Sequence, residues 1–314
     1  MKKIIAGLLT VLLLGVMLPG CQKEEPRTFR VAVMLPDSAS YFSATRVGCR
    51  EAAEKYHMEI TFFDAGWNVS QQLIQMKHAI ADGCDIIALC ACDAEVILPG
   101  IAAAKRVGVP VLLLTNGVGM DSSGMTDGVV AYVGQDEIAT GRLCAEIAKK
   151  LLGEKGGKVA MLEGKGGTFC QIYRQQGFLE GIQDSDIEVV FTRIADWDKD
   201  KAMRITEDLI ASDIEFNLIF CQDDRMAAGA GQALAEAGIK DQVYVVGLGG
   251  SIEGMKAMQN GLIDGDTFLS AKQEGFTAIE TCYRYLNGEH PERRTVLKQV
   301  EVTPDQVSDY TPEW

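Results

Sequence analysis

The stretch Asn217-Leu-Ile-Phe-Cys-Gln-Asp-Asp-Arg-Met-Ala-Ala-Gly-Ala230 decides how the rest of the chain is organised. Leu218-Ile219-Phe220-Cys221 is an uninterrupted apolar run, which suits a strand buried on both faces, as in a parallel sheet. It stops at Gln222-Asp223-Asp224, and small helix formers follow at once, from Met226 to Leu234. A strand that hands over to a helix in this way delivers carboxylates to the sheet's C-terminal edge, where open α/β sheets bind ligands. Asp223 and Asp224 therefore have two readings: caps for the N–H groups that open the helix, or contacts to a ligand.

The same unit recurs on both sides of this stretch. Residues 30–35 form an apolar strand ended by Pro36, and the loop 37–40 leads into Tyr41-Phe42 and a helix to about residue 56. A strand over 59–64 precedes a helix over 69–81 with Leu73, Met76 and Ile80 on one face. The strand 85–91 is followed by Asp93, placed to cap a helix running to 107. Strands over 110–114 and 129–133 complete this half. The alternation then begins again with a helix over 137–152, a strand over 158–162, a helix to 183, a strand over 188–194 and a helix over 199–211. After the opening stretch come a strand over 242–247 and a helix capped by Ser251. The remainder differs: 266–270 is strand-like, 273–286 helical, and 295–302 reads as one strand with no core helix behind it. Repeated strand–helix units imply parallel sheets covered on both faces. Two similar half-chains with segments left over imply two lobes joined by several crossings, able to close like a hinge.

Composition narrows the function. With 314 residues, 47% of them hydrophobic, the chain can bury a core in each lobe, and its 33 glycines suit many tight strand–helix turns. A net charge of −14 argues against nucleic acid and against a surface that clings to anionic lipid. Met1-Lys2-Lys3, an apolar run from Ile4 to Leu18, and Leu18-Pro19-Gly20-Cys21 read as an export signal, too short for a membrane span. Eight cysteines follow Cys21. Their settings in strand and helix patterns are those of small core residues, and Cys90-Ala91-Cys92 lacks the second Cys/His cluster that a metal or redox site needs. No metal and no cofactor are expected.

Enzymatic motifs are missing. His57, His78 and His290 have no partner spacing, and there is no GxSxG elbow, HExxH or Walker loop. Gly164-Lys-Gly166-Gly167 and Gly247-Leu-Gly249-Gly250 stand at strand–helix junctions, but Phe169 and Ile252 replace the third glycine of a dinucleotide fingerprint. A binding site reads better. The strand ends of the first half bring Ser38, Ser40, Tyr41, Phe42 and Asn116; those of the second bring Arg174, Trp197, Asp223 and Asp196. Flat rings beside convergent hydrogen-bonding groups suit a sugar or polyol. For Trp197 the competing reading is interface packing, and for Arg174, in a helical register, a solvated charge.

Taken together, the order VAVMLPDSASYF, DIIALCACD, VGVPVLLLTN, YVGQDEIATGRL, GGTFCQIYRQQGF, ADWDKDKA, LIFCQDDRMAAGA and VYVVGLGG resembles the ribose/galactose-type periplasmic binding proteins that serve ABC importers. The resemblance runs from Phe29 to about Val302. It implies two Rossmann-like lobes, residues 29–134 with 271–296 and residues 135–270 with 297–314. Ahead of them would come a lipoprotein signal over 1–20 and a tether over 21–28 that begins at a lipidated Cys21. It also implies a non-enzymatic, monomeric protein outside the cytoplasm, held on the membrane by its lipid and handing a small molecule to an ABC permease. Docking on a membrane sensor instead of a permease, or an exported Rossmann-type enzyme, are the alternatives. Within the resemblance Tyr41 and Phe42 match aromatics that flank the ligand, Arg174 an arginine that bonds sugar oxygens, and Trp197 the aromatic on the ligand's other face. Asp223 stands in place of an asparagine in the cleft, and Asp224 is the helix-start residue. Thr115-Asn116, Gly249 and Leu269 depart from the residues that clamp sugar hydroxyls in that family.

Overall fold

The computed structural model describes residues 27–38 and 40–314, so Cys21 and the export signal lie outside the described residues. The first sheet holds six strands, all parallel: β1 (Arg30–Leu35), β2 (Glu59–Asp64), β3 (Ile86–Leu89), β4 (Val111–Leu114), β5 (Val129–Gly134) and, from far along the chain, β11 (Arg294–Val296). Their order is β11-β5-β4-β3-β1-β2. The second sheet is β7-β6-β8-β9, built from β6 (Gly157–Glu163), β7 (Ile187–Ile194), β8 (Leu218–Cys221) and β9 (Tyr244–Val246). A short antiparallel ribbon pairs β10 (Asp266–Phe268) with β12 (Val300–Val302), and bridges at Val246–Gly265 and Gly249–Phe268 attach it beside β9. Both sheets thus run through the same order from their second strand inward, which is the doubly wound arrangement.

Helices α1 (Tyr41–Lys55), α2 (Val69–Ala81), α3 (Leu98–Arg106) and α9 (Ala271–Leu286) clothe the first sheet; α4 (Glu137–Leu152), α5 (Phe169–Gly181), α6 (Lys199–Ile210), α7 (Asp224–Glu236) and α8 (Ile252–Gln259) clothe the second. The apolar run of the opening stretch is β8, every residue of it buried, between β6 and β9. Its Ile219 and Cys221 share one core cluster with Met226, Ala227, Ala230 and Leu234 of α7, so strand and following helix bury one continuous surface. One sequence expectation is corrected: 295–302 is two strands, since β11 adds to the first sheet and β12 turns back to pair with β10. The chain passes between the two sheets at 134–137, 268–271 and 296–300. Asp93 caps a turn by accepting from Glu95 and Val96 N–H, ahead of α3, which starts at Leu98.

In both lobes helices approach backbone to backbone over glycine, and one pair in each does so from both sides. Between α1 and α9, a Cβ on Gly48 would sit 1.9 Å from Lys272 O and one on Gly275 2.1 Å from Thr45 O. Between α4 and α5, a Cβ on Gly141 would sit 2.3 Å from Arg174 O and one on Gly177 2.1 Å from Ile138 O. These contacts meet main chain, which cannot rotate away. They set how deeply α9 and α4, each of which follows a crossing between the sheets, dock on α1 and α5, which start at the cleft.

At the floor of the first lobe, Glu274 in the first turn of α9 is fully buried. Its Oε1 accepts from Thr115 Oγ1 at the end of β4. Burial, and then the nearby Glu137, push its carboxyl from 4.5 up to about 8, against Thr115 and Arg174, which favour the charged form. The neutral acid therefore prevails at pH 7, where an unfolded Glu is ionised.

Two outcomes follow from this packing. Gly141→Ala should lower stability in urea by about 1–3 kcal/mol, because overpacking against main chain outweighs alanine's better helix propensity; an unchanged midpoint would refute the close-approach argument. For Glu274 the folded pKa lies above the unfolded one, so its contribution is complete below 4.5 and is lost as pH rises to about 8. The difference in melting temperature between wild type and Glu274→Gln should change across that window; parallel curves would show that Glu274 does not titrate there.

Candidate ligand-binding cleft

The C-terminal ends of β1, β4, β6 and β8 open onto one cavity of about 300 Å³ between the lobes. All seven residues singled out from sequence, Ser40, Tyr41, Phe42, Asn116, Arg174, Trp197 and Asp223, line it. Asp196 also lines it, whereas Ser38 is not among its lining residues. Thr115, Gly249 and Leu269 are on its wall as well.

Aromatic rings dominate. The chain has three tryptophans, Trp67, Trp197 and Trp314, and the cavity is lined by all of them. Trp67 and Trp197 occupy matching places in the two lobes, each following an edge strand (β2, β7) in the parallel segments Ala65-Gly-Trp-Asn68 and Ala195-Asp-Trp-Asp198. Both take a left-handed backbone, φ 56° and 61°. Trp67 donates from Nε1 to Asp37 Oδ2 at 2.8 Å and meets Phe42 edge-on at 6.0 Å. Trp197 lies against the main chain of Gly164, where an added Cβ would fall 1.8 Å from the indole. This close approach is what requires glycine at 164, in the glycine run that resembled part of a nucleotide loop. Of the six non-glycine residues with positive φ among the described residues, five (Ser40, Trp67, Thr115, Asp196 and Trp197) line the cavity. Such conformations cost about 1–3 kcal/mol each and concentrate at functional sites.

The polar groups are held by one another. Arg174, buried on α5, donates from Nε to Glu137 Oε2 at 2.7 Å, from Nη2 to Glu137 Oε1 at 3.3 Å, and from Nη1 to Gln222 O at 2.9 Å. Three of its five N–H donors are so used. The solvated-arginine reading is thereby overturned: the buried Glu137 partner, at the N-terminus of α4, was not recognised in the sequence because it lies 37 residues away on another helix. Gln222 in turn accepts from Gly164 N–H and donates to Gln171 O, both at 3.0 Å, fixing the loops after β6 and β8 together.

Asp223 and Asp224 exchange part of their expected roles. Asp223 is the N-cap of α7, its Oδ1 accepting from Arg225 N–H at 2.8 Å and Met226 N–H at 2.9 Å, while the residue still lines the cleft. Asp224 is fully buried and accepts through Oδ2 from Ser251 N–H at 2.5 Å, tying α7 to the start of α8. Asp223, two residues past the strand end, is still in the extended conformation that a cap needs, φ −153°, so the cap falls one residue earlier than Asp224. Burial, then the charge of Asp223, raise the Asp224 carboxyl to about 7. Burial also raises Asp223, against the pull of Arg225.

Arg225 was not singled out from sequence. Its readable signal is a lone cation among small helix residues. It donates from Nη2 to Trp197 O at 2.9 Å, pairs through Nε with Asp223 Oδ2 at 3.5 Å, and reaches across the cleft to Ser40 Oγ. A second bond between lobes runs through Asn116. Its Nδ2 donates to Ala91 O at 2.9 Å, and its Oδ1 accepts from Cys170 N–H at 3.3 Å and Sγ at 2.8 Å. Asn116 is therefore engaged in joining β4 to α5. The eight described cysteines are all free, and no cluster of three or more metal-ligating side chains occurs among the described residues. No helix among them is long and apolar enough to cross a membrane.

The fold of two doubly wound lobes is shared by known proteins. The family model described as a periplasmic binding protein domain matches residues 31–290. The chain is 28% identical over 294 residues to the ribose import binding protein of Haemophilus influenzae, covering 94% of this chain and 97% of that protein. Over 188 residues, 59% of this chain and 60% of the relative, it is 31% identical to the D-allose-binding periplasmic protein of Escherichia coli. Among solved structures, an ABC transporter solute binding protein from Bacillus halodurans with bound myo-inositol superposes with a TM-score of 0.84 at 27% identity, covering 90% of this chain and 97% of that one. With a fold, a cleft and a full-length match of this kind, the chain belongs to the periplasmic binding protein family.

Proposed function

We propose that this protein captures a small, ring-shaped polyol or sugar derivative between its lobes and delivers it to an ABC importer. The observation that carries this reading is the single cleft into which both lobes project flat rings and hydrogen-bonding groups together. Trp197 and Phe42 supply faces for C–H groups, while Asp223 Oδ2 and the remaining Arg174 donors supply bonds to hydroxyls. Ribose, allose and myo-inositol are bound by its relatives, as their names state, and lend support to a polyol of that size. Ligand that touches both lobes favours the closed form, and the closed form is what a permease can distinguish from the empty protein. The Thr115, Gly249 and Leu269 positions offer few partners for hydroxyls, which favours a ligand less hydroxylated on that side.

The reading extends to the cell surface. Cys21, behind Leu18-Pro19-Gly20, is the acylation site of a lipoprotein, and the mature chain is a monomer tethered outside the cytoplasmic membrane. In cells that process the export signal, Cys21→Ser should move the protein from the membrane fraction to the soluble one; equal membrane retention would remove the anchor from the model.

Ligand capture is tested by a panel of pentoses, hexoses, cyclitols and deoxy sugars in thermal melts, read in parallel by tryptophan emission. A ligand at one hundred times its dissociation constant stabilises by about 2.7 kcal/mol, and an emission change should accompany it because every tryptophan lines the cleft. Trp197→Ala should abolish the shift and leave the unliganded melt nearly unchanged. An equal loss in both melts would instead mark Trp197 as a packing residue, and a panel with no response would remove carbohydrates from consideration.

A further inference from the structure

We propose that Trp314 is a ligand-contacting residue that sets specificity, a carbon wall that favours a ligand presenting a C–H or deoxy edge on that side. The inference rests on the solute-binding reading above. Trp314 lines the cleft, as do Leu248, Gly249 and Leu269, three residues that offer no side-chain hydrogen bond. Its indole meets the Tyr41 ring edge-on at 5.4 Å, in the first lobe, and lies 5.8 Å from the guanidinium of Arg225, in the second. Gly249 leaves room for it. A Cβ there would come within 3.1 Å of Trp314 Cζ2, and φ +140° is a backbone conformation that other residues rarely adopt. The one polar atom of the ring, Nε1, is buried without a hydrogen-bond partner, so the face available to a ligand is carbon.

The ring is also held in place before any ligand arrives. Trp314 O accepts from Ile252 N–H at 2.6 Å, at the start of α8 in the second lobe. The carboxylate of Glu313 accepts from Ser270 Oγ at 2.6 Å and Lys272 N–H at 2.9 Å, at the start of α9 in the first. Segment 303–314 is thus fastened to both lobes on either side of the cleft. A ring fixed in this way loses little freedom when a ligand packs on it, which is the condition under which an aromatic contact contributes fully. Because one wall is shared by the two lobes, separating them would pull the indole from Tyr41 or from Arg225.

The test compares wild type, Trp314→Ala, Trp314→Phe and Trp314→Leu by calorimetry with D-ribose, D-allose, myo-inositol, and D-galactose paired with 6-deoxy-D-galactose and D-ribose with 2-deoxy-D-ribose. Trp314→Ala should bind the best wild-type probe about ten-fold more weakly, with Trp314→Phe within about three-fold of wild type. At least one deoxy sugar should bind wild type more tightly than its parent, and that preference should shrink in Trp314→Ala. If alanine prevents folding, Trp314→Leu, which keeps apolar bulk without the flat ring, takes its place with the same ten-fold expectation. Wild-type affinity in the folded variant, or tighter binding of the parent in both pairs, would overturn this role for Trp314 while leaving solute binding intact. A wild type that binds no member of the panel would overturn the carbohydrate reading itself, and this inference with it.

Discussion

A buried guanidinium holds the cleft together. Arg174 is sequestered from water, and a charge so placed is tolerated only with a partner of opposite sign and its N–H groups bonded. Glu137 meets it in a two-bonded pair and the Gln222 carbonyl takes a third donor. Those three residues stand at the first turn of α4, within α5 and at the end of β8, so satisfying one side chain fixes three elements of the second lobe at the cleft's edge. Cys170, one turn earlier on α5, donates its N–H to Asn116 and shares its one thiol proton between Asn116 and Glu137, carrying that frame over to the first lobe. Removing either member of the ion pair would leave the other charge buried alone, which is why the pair acts as a constraint on geometry more than as a source of stability.

Around this frame the strain is local and directed. Thr115, Trp67, Asp196, Trp197 and Ser40 all take left-handed backbone at the rim, and in each lobe the tryptophan follows the edge strand at the same place in the fold. The two lobes therefore present their rings by the same device, across a cleft that neither could form alone. Glycine does the complementary work. Gly164 admits the indole of Trp197, Gly249 admits that of Trp314, and the Gly48/Gly275 and Gly141/Gly177 pairs let the helices behind the cleft approach backbone to backbone.

Much of this was legible in residues taken in order. The alternation of buried runs with helix formers located β8 and α7, and the seven residues chosen at strand ends all line the cavity. Their convergence on one cavity has a simple cause: in doubly wound sheets the C-terminal strand ends face one side, so position along the chain specifies position in space. Trp67 was within reach, since Ala-Gly-Trp-Asn after β2 parallels Ala-Asp-Trp-Asp after β7. Arg225 offered only the signal of a lone cation among small helix residues, and Glu137 offered none, because what makes them part of the site is a contact across elements. The split of 295–302 into β11 and β12 was likewise invisible, as one short strand-like stretch carries no mark of which sheet each half will join.

The sequence by itself determined the class of fold, the two-lobed repeat, the strand ends that meet at the cleft and a net charge of −14. These depend on periodicity, turn residues and net charge, all of which are local or additive. Tertiary structure alone decided which charges are paired, that Asp223 caps while Asp224 binds the start of α8, and that Asn116 joins the lobes. It alone brought Trp314 back to the cleft opposite Tyr41. The physical reason is that burial and hydrogen-bond partnership are properties of pairs separated by tens or hundreds of residues, and only folding sets the distance between them.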